Sequence, residues 1–439
     1  MARRASELIG VGLAVALLAG ACDGSAGGGA PSSSPTTSVS PTGSPSDGGR
    51  VDLGQPTFSD PTSITNPLFP IGQVDQVIQL GEEAGESLRI EVTLLPDTRT
   101  IEWNGQRVEA AISQFVAYLD GRIAEVALDY FAQADDGAVW YFGEEVDNYE
   151  DGEIADHEGA WLAGRDGPPG MIMPPDPEVG DVYRPENIPD LVFEEVTVQA
   201  VDETVEGPTG PVEGAVLVEE LLMDGTIEHK LFAPGYGEFE ARAPDELVTV
   251  ALAVPTDTLA EPPPVGLITM TTGAIEVFDA VADDGWRSIS TSLGALTASW
   301  DALRGGGSPQ LLETQMTDAL DALERAVDGR KDTEARQTAL DVAEAALDLQ
   351  LRYRARTEID VERLGVWARR VIADAEADDP AAVAGDVASL ETTWDRLDHA
   401  VPEAERIEGW LGDVRAGADA GVLEAARTAS RLLEVLMGL

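Results

Sequence analysis

The chain has 439 residues, long enough for two or three domains, and 43% of them are hydrophobic, an ordinary share for a globular protein. Its 81 acidic residues outweigh 28 Lys and Arg, a formal net charge of -53, and only two lysines occur, Lys230 and Lys331. A surface of that sign repels phosphate backbones, which argues against nucleic acid as a partner and suits cations, cationic partners or plain solubility.

The amino terminus predicts export. Arg3 and Arg4 precede the apolar run "LIGVGLAVALLAGA" (8–21), a signal-peptide core too short to span a bilayer comfortably. It runs into Cys22, the sole cysteine. "LLAGAC" resembles a bacterial lipobox, with Ala19 where leucine is usual. The expectation is a lipoprotein signal over 1–21, a lipid on Cys22, and attachment to the extracytoplasmic side of the cell membrane. A secretory signal followed by an incidental cysteine is the plainer alternative. Residues 22–50 are rich in Gly, Ser, Pro and Thr and cannot offset the entropy of ordering, so they predict a flexible linker. A coil of this length reaches roughly 30 Å.

From residue 51 to about 262 the texture is that of strands. Asn104-Gly105, Asp120-Gly121, Asp136-Gly137 and Asp151-Gly152 recur at spacings of 16, 16 and 15 residues. Such dipeptides favour type I′ turns because both central residues need positive φ. In "RIAEVALDYFAQAD" (122–135) Ala124, Val126, Leu128 and Tyr130 share one face while Glu125 and Asp129 take the other, a period of two. Further strands are predicted at 87–95, 192–203, 214–223, 226–233, 238–243 and 246–254. The sum is a curved, antiparallel, up-and-down sheet, a half-barrel or barrel.

The stretch "VDNYEDGEIADHE" (146–158) has two readings. Asp147, Asp151, Gly152 and Glu158 fall at calcium-loop positions, but Tyr149 occupies a ligand position and the upstream flank is strand-like. A hairpin is expected, with Asp147, Glu150, Asp151 and Glu158 as weak metal candidates. The segment 164–190 is proline-rich and predicts one long loop. Met171, Ile172 and Met173 at its centre are either an apolar plug over the sheet's open end or the lid of a hydrophobic ligand cavity.

Four stretches in this domain, "NPLFPIG" (66–72), "VWYFGEE" (139–145), "GMIMPPDPEVGD" (170–181) and "EHKLFAPGYGEFE" (228–240), resemble motifs of a group of uncharacterised bacterial secreted proteins and lipoproteins. The resemblance implies no activity and no catalytic residues. By its meander layout the domain is also similar to the curved-sheet lipoprotein carriers of the bacterial periplasm, which implies an acyl-chain ligand only by analogy of fold.

"EPPPVG" (261–266) separates the sheet from an Ala-, Leu-, Asp-, Glu- and Arg-rich region, 268–439. Stripes such as Ala339, Val342, Ala343, Ala346 and Leu347 predict amphipathic helices, and six breaks divide the region into about seven. "LTASWDAL" (296–303) and "LETTWDRL" (390–397) repeat one motif, and hairpins near 331, 379 and 420 look alike at a period of about 42–47 residues. The fold class is thus α+β, with the helices forming a hairpin bundle or short solenoid. Arg352, Arg354, Arg356 and Arg363 cluster, and internal ion pairs are the expected use.

No pairing of His157, His229 and His399 matches a zinc-hydrolase helix, and nucleophile elbows, phosphate loops and dinucleotide fingerprints do not occur. No cofactor is expected. The leading function is a non-enzymatic binding module holding a small apolar or lipid-like ligand in the β domain. The alternatives are a scaffold that meets another envelope protein through its helices, and an envelope hydrolase with an acid pair in a cleft.

Overall fold

The computed structural model describes residues 49–282, 285–397 and 404–436. The expectations for Cys22, the leader, most of the linker and His399 lie outside the described residues. The first half of the sheet is a meander of β1 (Gln76–Glu83), β2 (Glu86–Trp103), β3 (Gln106–Leu119), β4 (Arg122–Gln133), β5 (Val139–Glu150) and β6 (Glu153–Asp156). After the short β7 (Trp161–Leu162) and β8 (Gly170–Met173), a second meander comprises β9 (Val182–Ile188), β10 (Val192–Gly207), β11 (Gly210–Leu222), β12 (Ile227–Ala233), β13 (Gly237–Ala243) and β14 (Glu246–Val254). β1 pairs with β14, so the two meanders form one antiparallel sheet of fourteen strands.

The turns follow the predicted rhythm. Asn104-Gly105, Asp120-Gly121 and Asp151-Gly152 all have positive φ at both residues, as a type I′ turn requires. At Asp136-Gly137 only the glycine does, so that connection is of another kind. The segment 164–190, expected as one loop, instead contains β8 and β9. β8 pairs with β5 and lies beside β9, which brings the two ends of the sheet together without closing its hydrogen-bonded ladder. Gly170 permits that approach, because a Cβ there would overlap the carbonyl oxygens of Arg184 and Pro185.

Eight helices follow among the described residues, one more than expected: α1 (Val265–Ala282), α2 (Trp286–Leu303), α3 (Gln310–Gly329), α4 (Asp332–Gln350), α5 (Arg356–Glu376), α6 (Pro380–Asp395), α7 (Ala404–Ala420) and α8 (Val422–Leu436). The unmarked break lies between α1 and α2. The Asp379 side chain caps α6 by accepting from Ala382 N–H at 3.1 Å, with Pro380 at the first helical position. α1 packs on α2 and α4 while α3 packs on both α2 and α4. α5 to α8 repeat that ring. The repeating unit is therefore a four-helix bundle, roughly double the expected period, and no solenoid forms. The motifs at Leu296 and Leu390 sit on the second helix of each bundle, where Trp300 and Trp394 are core residues. α1 is the one described helix apolar and long enough to cross a membrane, and its Met270, Ala274, Val277 and Phe278 are packed in the first bundle.

Both bundles dock on the outer face of the sheet. Ile78, Leu252 and Val254 join the core of the first, and Val116, Tyr118 and Ile123 that of the second, where Tyr118 stacks on Trp367 with centroids 5.6 Å apart. The tip of the β5–β6 hairpin touches α6 so closely that a Cβ at Gly152 would overlap Ala381 O and Gly385 N. Charge completes the joint. Arg396, fully buried, donates to Gln114 Oε1 and Glu91 Oε2, both at 2.5 Å. Arg89 bridges Glu91 to Asp348, and Arg363 donates to Asp348 (2.6 Å), Asp360 (3.0 Å) and Gln76 (3.1 Å). These arginines hold the Glu91 carboxyl well below the carboxylate range despite its burial, which acts in the opposite direction.

Removing one member of such a network leaves a buried charge without its partner. Arg396→Ala is expected to cost about 3–5 kcal/mol, read as a lower denaturation midpoint, with helix content retained and the bundle-to-sheet contact loosened in hydrogen exchange. A change below about 1 kcal/mol would show that the network does not hold the two layers together.

Candidate functional site

Alternation along each strand sends one residue toward the bundles and the next into the curl. On β1, Ile78 faces the helices while Val77 and Gln79 face inward; on β3, Gln114 and Val116 face out while Ser113 and Phe115 face in. The inward side chains do not fill the curl. They leave a cavity of about 80 Å³ that is partly open to solvent. The wall is chiefly apolar, with Val77, Val92, Phe115 and Phe131, and four polar side chains enter it: Gln79, Ser113, Asp129 and Glu238. Sites for small molecules commonly have this composition.

A strap of residues 66–72 borders the cavity through Phe69, Pro70 and Ile71. It is fixed by its first residue. Asn66 donates to Gly137 O and Pro174 O, its side-chain oxygen accepts from Leu68 N–H, and Gln133 Oε1 accepts from the backbone of Thr65 and Asn66. Phe69 meets Phe131 edge-on at 4.9 Å, and Pro67 O accepts from Gly235 N–H at 2.9 Å.

Beyond Asp129 the interior turns acidic. The Asp129 carboxylate accepts from Tyr141 O–H at 2.8 Å, and Glu144 lies against the same phenol. Glu186 accepts from Trp161 Nε1 at 2.6 Å and stands opposite Glu194 in the β9–β10 ladder. Glu220 and Glu228 face each other on β11 and β12, and Glu83 and Glu246 on β1 and β14. Lys230 is the buried base among them, with its Nζ 2.7 Å from Glu220, 3.5 Å from Glu238 and 3.9 Å from Glu228. Its neighbours raise the ammonium pKa well above the ordinary value although burial opposes them.

One lysine cannot neutralise this many acids. Oε1 of Glu125, Oε1 of Glu144, Oε2 of Glu186 and Oε2 of Glu194 are buried and have no hydrogen-bond partner. Burial, reinforced by the neighbouring carboxylates, pushes Glu125 up to about 8 and Glu246 to about 9. Burial likewise takes Glu228 to about 7, and Glu144, Glu186 and Glu194 upward. Asp129 rises too, against the pull of the Tyr141 hydroxyl.

The residues singled out in the sequence fall elsewhere. Asp147, Glu150, Asp151 and Glu158 lie on or beside the β5–β6 hairpin, between strands and not between helices, so no calcium loop of the helix-flanked kind forms. Asp147 instead meets His157 Nδ1 at 2.8 Å, and among the described residues no group of three or more His, Cys, Asp or Glu stands at metal-holding distance. Met171, Ile172 and Met173 are buried as β8 and do not line the cavity; the covering role belongs to residues 66–72. His229 is partly exposed, 3.7 Å from Glu219 on the outer face. The arginine cluster is internally paired: Arg354 with Glu358 and Glu362, Arg356 with Asp360, and Arg363 with Asp348 and Asp360, while Arg352 donates to the carbonyls of Asp257 and Gly307.

The acids of the interior were visible only as members of a large class. Glu125 and Asp129 were expected on the face opposite the apolar one that would line the interior, and the structure instead turns their face inward. Lys230 offered a sharper signal, one of two lysines set among apolar strand residues. All four motifs quoted above meet around this interior: the first forms the strap, the second carries Tyr141 and Glu144, the third forms β8, and the fourth carries Lys230, Tyr236 and Glu238.

Carboxyls that stay protonated in the native state bind more protons than the unfolded chain at pH values above the ordinary carboxylate range. Stability therefore falls as pH rises from about 4.5 toward 8, through Glu125, Glu228 and Glu246. Glu91 acts with the opposite sign, losing its contribution as pH drops below about 4. The expected outcome is a higher melting temperature near pH 5 than near pH 8, with Glu125→Gln reducing the difference. A melting temperature that rises across this interval would contradict the assignment.

Comparison with family models, curated proteins and solved structures finds no match to this chain, and the site is read from its own chemistry.

Proposed function

We propose that the protein is a non-enzymatic binding module that holds a small, largely apolar ligand inside the curled sheet beneath the strap of residues 66–72. The observation carrying this reading is a partly open cavity with a mainly aliphatic and aromatic wall, in a domain whose outer face is already occupied by helices. An unfilled apolar interior forfeits dispersion contacts, and a ligand restores them. In the same reading a lipid on Cys22 and the linker 22–50 tether the domain to the outer side of the cell membrane, as the lipobox-like "LLAGAC" supports.

A hydrolase would also use this interior, since Asp129 and Glu238 both reach the cavity. The wall around them offers few hydrogen-bonding groups for an envelope polymer, which favours binding over cleavage.

Native mass spectrometry of the full chain, released from detergent and compared with its denatured mass, tests the proposal. Added mass of lipid size is expected, and Val92→Trp, which fills the cavity, is expected to abolish it while leaving the melting temperature within a few degrees. Bare protein in both spectra, together with no uptake of an added apolar fluorophore, would overturn it.

A further inference from the structure

We infer that the ligand of this cavity is an amphiphile with a cationic amine head, seated with its apolar body among Val77, Val92 and Phe115 and its head on Asp129. The inference rests on the ligand-binding reading above and names the chemistry of what binds.

Two independent features carry it. The first is the cavity's asymmetry, since its wall is aliphatic and aromatic except where Gln79, Ser113, Asp129 and Glu238 enter. Two of those are acids, and no basic side chain lines it. An anionic head would meet carboxyl groups there and no base. The second is the set of buried carboxyl oxygens without partners just behind Asp129. Glu144 shares the Tyr141 hydroxyl with Asp129, and Glu144 and Glu186 are each about 1% exposed or less, with Oε1 of the former and Oε2 of the latter unpartnered. A native interior that leaves carboxyl oxygens unpaired is unusual, because each such group retains its desolvation cost.

Lys230 does not meet this need. It is already within 4 Å of Glu220, Glu228 and Glu238, and its charge acts on Glu186 only from beyond ion-pair distance. Among the described residues none of Glu125, Asp129, Glu144 or Glu186 forms an ion pair with a base. A primary amine entering from the mouth supplies three N–H donors and one positive charge to an enclosed, low-dielectric site. A bare divalent ion fits less well, since these acids do not converge at metal-holding distance and the adjoining wall is apolar.

The test is a titration calorimetry series on the full chain at neutral pH, using dodecylamine, dodecanol and dodecanoate below their aggregation concentrations. Dodecylamine is expected to bind roughly tenfold or more tighter than dodecanol, with dodecanoate the weakest. Asp129→Asn, which keeps an acceptor for Tyr141, is expected to bring the amine-to-alcohol ratio near one. Glu144→Gln gives the same comparison should Asp129→Asn fail to fold. Equal affinity for all three, or preference for dodecanoate, overturns the cationic head and leaves the cavity reading standing. Absence of binding by any of the three overturns both.

Discussion

A sheet of long antiparallel strands must curl, and the curl dictates what each residue meets. Every strand then has an outer and an inner side, and on the central strands both are covered. The outer side is covered by the two helix bundles, through Ile78 and Leu252 on one and Val116 and Tyr118 on the other. The inner side is covered by the sheet itself, by the strap at residues 66–72 and by Phe58 and Ile64 ahead of it. Most of the curl is filled by a packed core around Phe131, Tyr141 and Trp161, and a small space remains beside it.

The two sides handle charge in opposite ways. On the outer side acids and arginines alternate in space, so Glu91, Asp348 and Asp360 each face a guanidinium, and their burial is compensated. On the inner side a single lysine serves a crowd of carboxyls, and the remainder hold their protons. The first arrangement joins two layers firmly. The second leaves protonated carboxyls beside an apolar space.

The bundles show the same economy of design repeated. A four-helix ring that carries Leu-x-x-x-Trp-Asp-x-Leu on its second helix occurs twice, and each copy buries its tryptophan in its own core while giving a few apolar residues to the sheet. Arg352, Arg354, Arg356 and Arg363 sit at the start of the second copy, at the junction of bundles and sheet, where their internal pairing ties the parts together.

By itself the sequence determined what is local. Turn dipeptides with positive φ, period-two strands, helix stripes, the Asp379-Pro380 cap and the pairing of Arg354 and Arg356 along their own helix all depend on neighbours a few residues away, and they were legible as such, whereas Arg352 and Arg363 reach distant partners. The type of the β5–β6 connection was legible too, because Asp151-Gly152 specifies a turn by its own backbone preference. What only the tertiary structure decided depends on distant partners. β8 within 164–190 is a strand solely because β5 lies beside it, so no local pattern could mark it. The pairing of helices into rings of four, not a solenoid, follows from α1 meeting α4 and α5 meeting α8, contacts that helical periodicity does not encode. The site itself belongs to this second class: Asp129, Tyr141, Glu144 and Glu186 come from three strands, and in a chain of 81 acids only the direction of curl separates the enclosed carboxyls from the solvated ones.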